Sequence, residues 1–226
     1  MTPALVIFDC DGVLVDTEPV ANRVFADALH ELGLDMTFEH VCREFIGLSM
    51  SQCVALIEKR MGRPVPRRFV DDVQQRTFDE FRRDLQPVAG VVEALDRIDL
   101  PACVASSGEL EKMRLTLGIT GLLPRFDGKL FSAEQVAHGK PAPDLLLFAA
   151  RQMGLPPSAC AVVEDSVPGV LAARTAGMRA LGYAGAGEAD RLRGAGAEVF
   201  RDMAQLPGLF GLEQAASRAP RKEPVP

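Results

Sequence analysis

No apolar run in this 226-residue chain approaches the roughly 20 residues that span a bilayer. The start, Met1-Thr2-Pro3, lacks the charged and apolar regions of a signal peptide, so the expected location is the cytoplasm. Positive charge is also short: 25 basic residues face 31 acidic ones, for a formal net charge of −6, and the basic residues are dispersed among acids. That distribution leaves no electrostatic footprint for nucleic acid or an anionic membrane. Cysteine is sparse and odd in number, at Cys10, Cys42, Cys53, Cys103 and Cys160, with no Cys-x-x-Cys pair, so reduced thiols are expected and a zinc site is not. Cys103 and Cys160 stand inside apolar runs and read as core residues, and alternation along a strand turns Cys10 away from its acidic neighbours. The three histidines, His30, His40 and His138, are too scattered to form a metal set, although His138 is close enough to Lys140 in sequence to be a substrate candidate.

What is abundant is the mixture of a soluble globular protein: 47% hydrophobic and 25% charged residues, enough to bury a sizeable core. Short apolar runs recur at Ala4 to Phe8, Ala102 to Ala105, Ala161 to Val163 and Met178 to Leu181, and they read as buried strands. Helical patterns alternate with them near Val91 to Arg97, Glu109 to Leu117, Leu145 to Met153 and Val167 to Ala176, the last three closed by Gly118, Gly154 and Gly177. Alternation of this kind predicts an α/β fold, a Rossmann-like parallel sheet covered by helices. From Glu18 to about Asp84 the rhythm changes, with helix signals and no convincing strand. Val20, Val24, Phe25, Ala28, Leu29 and Leu32 share one helix face ending at Gly33, and further helices are expected over 38–45, 49–61 and 67–83. The expected organisation is a catalytic core from 1–16 and 86–210, an inserted all-helical cap over 17–85, and a disordered tail over 211–226.

Polar residues concentrate where the strands end, which is where ligands bind in open α/β sheets. The first strand runs into Asp9-Cys10-Asp11-Gly12-Val13-Leu14-Val15-Asp16; two carboxylates spaced by two repel one another unless a cation or a shared proton intervenes. An EF-hand loop would need glycine at its sixth position, and Gly12 is fourth. The second strand ends in Ser106-Ser107-Gly108-Glu109, which reads either as an anion site at a helix start or as simple capping. Lys140, between Gly139 and Pro141, is either a solvated charge or an ammonium aimed inward. Glu164-Asp165-Ser166 ends an apolar strand in paired acids, which suggests metal binding, with helix capping by Asp165 or Ser166 as the other reading. Gly182 to Gly187 has the wrong spacing for a dinucleotide loop and reads as a turn.

In this order, the four segments resemble the haloacid dehalogenase superfamily of aspartate-nucleophile phosphotransferases, over roughly residues 4 to 210. Asp9-x-Asp11-Gly12-x-Leu14-x-Asp16 looks like its first motif, Ser106 its second, Lys140 its third and Glu164-Asp165 its fourth, and the insertion resembles the small cap of its β-phosphoglucomutase-like branch. The resemblance implies that Asp9 attacks phosphorus and that Asp11 protonates the leaving oxygen and then activates water. It also implies that Ser106, Ser107 and Lys140 hold the phosphoryl oxygens. Mg²⁺ would be held by the Asp9 carboxylate, the Asp11 backbone carbonyl and Asp165, with Glu164 ligating directly or through water.

A proton donor at Asp11 suits an oxygen leaving group and not a halide. The mutases of this branch carry a cap arginine after a Gly-x-Ser turn; here Met50 follows Gly47-Leu48-Ser49, and Ala21 stands where a histidine is expected, which favours a phosphatase over a mutase. A fold kept for phosphate binding or regulation without turnover is the alternative of another class. The cap resembles that of bacterial phosphatases acting on sugar phosphates and on sugar-acid phosphates such as 6-phosphogluconate. Its candidate substrate contacts are Ser49, Met50, Gln52 and the loop near Arg63. The expected partner is a small phosphate ester, met by a monomer.

Overall fold

The computed structural model describes residues 2–45, 50–185 and 189–212. In chain order the elements are β1 (Leu5–Phe8), α1 (Thr17–Glu31), α2 (Phe38–Phe45), α3 (Met50–Met61), α4 (Phe69–Asp84), α5 (Val91–Asp96), β2 (Ala102–Ser106) and α6 (Leu110–Ile119). They continue with β3 (Leu130–Ser132), α7 (Asp144–Gln152), β4 (Cys160–Glu164), α8 (Val167–Thr175), β5 (Arg179–Tyr183), α9 (Ala189–Gly194), β6 (Glu198–Phe200) and α10 (Leu206–Leu209). Two compact units result. Among the described residues, one comprises those up to Asp9, Ala89–Glu109 and those from Gly128 to Leu212; the other comprises those of Cys10–Val88 and Leu110–Asp127, a wider span than 17–85 because it takes in the turn after β1 and α6.

The first unit is built on a six-stranded parallel sheet in the order β3-β2-β1-β4-β5-β6. Leu5, Val6, Ile7 and Phe8 are all buried, with α7 and α8 packed on the face that carries Leu5 and Ile7, and burial on both sides is why the strand reads as an unbroken apolar run rather than an alternating one. Register decides what the strand ends present. Phe8 lies opposite Val104 of β2 and Val163 of β4, and Asp9 N–H donates to the Val163 carbonyl at 2.9 Å. The residues after Phe8, Val104 and Val163 therefore emerge together on one edge of the sheet. The order reverses between β1 and β4, the switch point where open α/β sheets leave a crevice.

The edge strands β3 and β6 were not anticipated. At three residues each, Leu130-Phe131-Ser132 and Glu198-Val199-Phe200 are too short to show a period. The six-residue α9 was missed for the same reason. Gly182 also needs correcting, since it lies within β5 opposite Glu164 of β4 rather than in a turn. A Cβ there would stand 3.0 Å from the Ala197 Cβ, so glycine serves close packing of the sheet against α9 and the segment after it. The part of that run at 186–188 lies outside the described residues. Of the tail, Gly211 and Leu212 close α10 through N–H bonds to the carbonyls of Gly208 and Pro207, and 213–226 lies outside the described residues.

In the second unit, the expected stripe on α1 is buried at Val20, Val24, Phe25, Ala28 and Leu29. Phe25 meets Phe45 edge-to-face at a centroid distance of 5.2 Å, and Val41, Cys53, Ile57, Phe69 and Val73 complete this core. Gly33, at φ 86°, ends the helix in the left-handed conformation that an L side chain resists. Replacing Gly182 by valine is expected to cost about 1–3 kcal/mol by overpacking, seen as a lower urea midpoint with an unchanged slope.

Candidate active site

The first unit brings three of the four segments onto one ammonium group. Lys140 Nζ donates to Asp9 Oδ1 at 2.6 Å, to Glu164 Oε1 at 2.5 Å and to the Ala105 carbonyl at 2.9 Å. An ammonium has three N–H donors, and here each has an acceptor, one from the end of β1, one from β2 and one from β4. The Lys140 side chain is only 4% exposed and that of Glu164 1%. Burial alone lowers the lysine pKa, but the charges and hydrogen bonds of Asp9 and Glu164 outweigh it and hold the ammonium above its ordinary value. The inward reading of Lys140 is the one the structure bears out.

Glu164 is engaged at both oxygens. Lys140 takes Oε1, while Oε2 accepts from Asp165 N–H at 3.1 Å, Ser166 N–H at 3.0 Å and the Ser166 hydroxyl at 2.8 Å. Ser166 Oγ also accepts from Gly169 N–H, so it caps α8, and the carboxylate sits where the helix dipole favours negative charge. A Cβ built on Gly169 would overlap the Glu164 carboxylate, so only glycine permits this seat. Direct ligation of a cation by Glu164, which the paired acids suggested, would have to compete with four donors. The capping alternative, by contrast, is what Ser166 does.

Ser106 is buried and its hydroxyl accepts from Gly108 N–H at 3.1 Å, turning the backbone just beyond β2, while Ser107 is exposed. Ser132, which the sequence did not single out, donates to the Gly108 carbonyl at 2.8 Å and so holds the same turn from β3. Asp165 is half-buried beside Glu164. His138 pairs with Asp144 at 3.1 Å on the exposed side of the loop.

Among the described residues, no three His, Cys, Asp or Glu side chains gather into a metal cage. Mg²⁺ does not require one, since it binds through one or two carboxylates, waters and substrate phosphate. The hard carboxylate oxygens of Asp9 and Asp165 suit that cation.

In the second unit, Gly12 at φ 75° makes the turn that follows β1, closed by bonds from Gly12 N–H to the Val15 carbonyl and from Leu14 N–H to the Cys10 carbonyl. Asp11 stands on this turn. Its Oδ1 accepts from the Thr17 hydroxyl at 3.0 Å and its Oδ2 from Lys112 Nζ at 2.7 Å. Lys112, the partner of Asp11, is a residue that the sequence did not single out. The available signal was a lysine in the first turn of a helix, where the dipole disfavours a cation unless an anion faces it. Cys10 is buried with its Sγ 4.0 Å from the Thr116 hydroxyl, a packing role. Cys103 is likewise inert, its thiol pushed up to about 12 by burial and then by Cys160.

Asp11 and Lys112 also line a cavity of about 490 Å³ within this unit, together with Met50 and residues of α1 and α4. Of the expected substrate contacts, Met50 lines this cavity. Gln52 and Arg63 are not among the lining residues: on α3 the positions that face the cavity are Met50 and Cys53, three apart, and Gln52 lies off that stripe. Arg63 is exposed and donates to the Leu32 carbonyl. Ser49 lies outside the described residues.

Two outcomes follow from the buried ion cluster. Gly169→Ala is expected to displace Glu164 and with it Lys140, costing about 1–3 kcal/mol of stability and about 10²-fold in turnover. Lys140→Met leaves two carboxylates without a cation and is expected to cost about 3–5 kcal/mol in chelator-treated protein. Because the lysine pKa is raised on folding, its contribution is fully present below the unfolded value and is lost only as pH climbs through the raised one. Urea denaturation should thus find the same loss at about pH 7 and about pH 9.

Comparison with known proteins places this geometry in a family. Residues 3–177 match the model of the haloacid dehalogenase-like hydrolases. The chain is 29% identical to the 6-phosphogluconate phosphatase of Escherichia coli K12 over 209 residues, covering 91% of this chain and 93% of that one. It is 32% identical over 180 residues to hexitol phosphatase B of the same organism, covering 77% and 81% respectively. A hydrolase of this family from Deinococcus radiodurans, solved with bound phosphate and sodium, superposes with a TM-score of 0.83 at 29% identity, covering 93% of this chain and 97% of that one. The chain belongs to the haloacid dehalogenase-like hydrolase family.

Proposed function

We propose that this phosphoric monoester hydrolase releases phosphate from a small phosphometabolite by way of a phospho-aspartate on Asp9. The observation that carries the reading is the Lys140 ammonium, buried and shared between Asp9 and Glu164. A carboxylate is a weak nucleophile, and phosphoryl transfer depends on positioning and on charge neutralisation. Lys140 supplies both: its bond to Oδ1 orients Asp9, and its charge offsets the negative oxygens of an arriving phosphoryl group. Glu164 acts here as the anchor of Lys140 rather than as a metal ligand. The Ser106 hydroxyl and the backbone beyond it receive a phosphoryl oxygen.

Mg²⁺ would be held by the Asp9 carboxylate, the Asp11 backbone carbonyl and Asp165, and when bound it neutralises charge on the phosphoryl oxygens. Asp11 donates a proton to the departing alcohol and then takes one from the attacking water. Its bonds from Thr17 and Lys112 fix the carboxylate for that exchange. Met50 offers no cation to a second phosphate, which supports hydrolysis over mutase chemistry. The relatives' names support phosphomonoesters of sugar size as the substrate class.

Magnesium-dependent release of phosphate from a generic aryl phosphate is expected, abolished by chelator and by Asp9→Asn, with a hydroxylamine-sensitive mass increase of one phosphoryl group on Asp9 in rapidly quenched wild type. Asp11→Asn should lower kcat by about 10²–10⁴. A wild type inert toward a broad phosphometabolite panel with every divalent metal would instead favour a phosphate-binding protein without turnover.

A further inference from the structure

Gly108 has no side chain, yet both of its main-chain polar groups are held by serines. Its N–H donates to the Ser106 hydroxyl at 3.1 Å, and its carbonyl accepts from the Ser132 hydroxyl at 2.8 Å. The two serines stand opposite one another in register, at the ends of the paired strands β2 and β3, and both are buried. Glycine has the widest choice of backbone conformation of any residue, so two bonds from neighbouring strands remove a freedom that this turn would otherwise keep. On the other side of Ser106, the Ala105 carbonyl accepts from Lys140 Nζ at 2.9 Å. The segment Ala105-Ser106-Ser107-Gly108 is thus gripped at both ends, by an ammonium and by a hydroxyl.

Ser132 is itself locked in place. Its N–H donates to Gln135 Oε1 at 2.8 Å and its oxygen accepts from Glu134 N–H at 3.1 Å, a capping box around the short turn Ala133–Gln135. A hydroxyl has one hydrogen to give. The Gly108 carbonyl at 2.8 Å receives it at a shorter distance than the exposed Glu134 carboxylate, whose Oε2 is 3.3 Å away. Capping requires only that the Ser132 oxygen accept. The donation to Gly108 is a second use of the same hydroxyl, and it bears on the site. Ser106 accepts from Gly108 N–H with its oxygen, and a hydroxyl that accepts in this way keeps its hydrogen to give to an anion.

We infer that Ser132 is a positioning residue for the phosphoryl group: through Gly108 it sets the direction of the Ser106 hydroxyl, without touching the substrate. This rests on the phosphatase reading in that Ser106 is taken to receive a phosphoryl oxygen. Hydrogen bonds weaken steeply as they bend, and those to a charged acceptor are the strong ones. Loss of the Ser132 donor therefore lowers phosphate affinity although no contact to phosphate is removed.

The test is a double-mutant cycle, read as the calorimetric affinity for inorganic phosphate with Mg²⁺ present and as kcat/KM for p-nitrophenyl phosphate. Ser132→Ala is expected to lower both about tenfold. In a Ser106→Ala background the same change should lower them less than about threefold, because the group that Ser132 aims is gone. Gln135→Ala is the control for capping alone. It opens the box from its exposed side and keeps the Ser132 donor, so it should lower the urea midpoint, as Ser132→Ala does, and move phosphate affinity less than about twofold. Equal losses in the two backgrounds overturn the inference, and so do equal losses of affinity for Gln135→Ala and Ser132→Ala. If Ser132→Ala does not fold by circular dichroism, Ser132→Cys, a weak donor of similar volume, takes its place in the cycle. Phosphate binding that follows the cycle without turnover of any ester keeps the inference and sinks the phosphatase reading. Turnover indifferent to Ser132 does the reverse, and a wild type that neither binds phosphate nor turns over ester overturns both.

Discussion

An ammonium ion buried among three oxygens is expensive to desolvate, and the Lys140 cluster is stable only because all three of its donors find acceptors at once. Those acceptors come from the ends of β1, β2 and β4, so the lysine records the register of the sheet as much as it serves the site. A slip of any of these strands would strand a charge. The arrangement is a poor source of net stability, since apolar residues of like volume would fill the space at less cost, and a good source of position. That is the quality that phosphoryl transfer requires of the groups around a nucleophile.

From that cluster outward, each supporting residue has a physical task. Glu164 is fixed by the first backbone N–H groups after β4 and by the Ser166 cap, so its own placement is owed to the start of α8. Gly169 leaves the space that the carboxylate fills. Ser106 and Ser132 hold the turn at Gly108 from two neighbouring strands. In the helical unit, Thr17 and Lys112 do for Asp11 what Lys140 does for Asp9, orienting a carboxylate by direct bonds. The two carboxylates are thus held by separate partners, a condition for giving them separate roles.

The α/β class, the long central strands and the helices of the insertion were legible because each carries a period or an unbroken apolar run over enough residues to be seen. Asp9, Asp11, Lys140 and Glu164 stood out as candidates because acids and a constrained lysine stand where strands end. Lys112 did not: it is one lysine in a helix, and only the carboxylate across from it gives it meaning. Gln52 and Met50 looked equivalent in sequence, and the helix put Met50 on the stripe that lines the cavity and Gln52 off it. The edge strands and α9 escaped because a few residues cannot display a pattern and take their conformation from the neighbours they dock on.

What the linear order determines by itself is therefore the inventory: which segments end in acids, hydroxyls or a lysine, and which runs must be buried to pay for folding. What only the tertiary structure decides is partnership. Whether Glu164 faces a cation of the protein or one from solution, and which phenylalanines gather into one wall, depends on strand register and helix rotation. Those are set by the packing of the whole chain, because hydrogen bonds and van der Waals contacts act over a few ångströms while their members lie tens of residues apart.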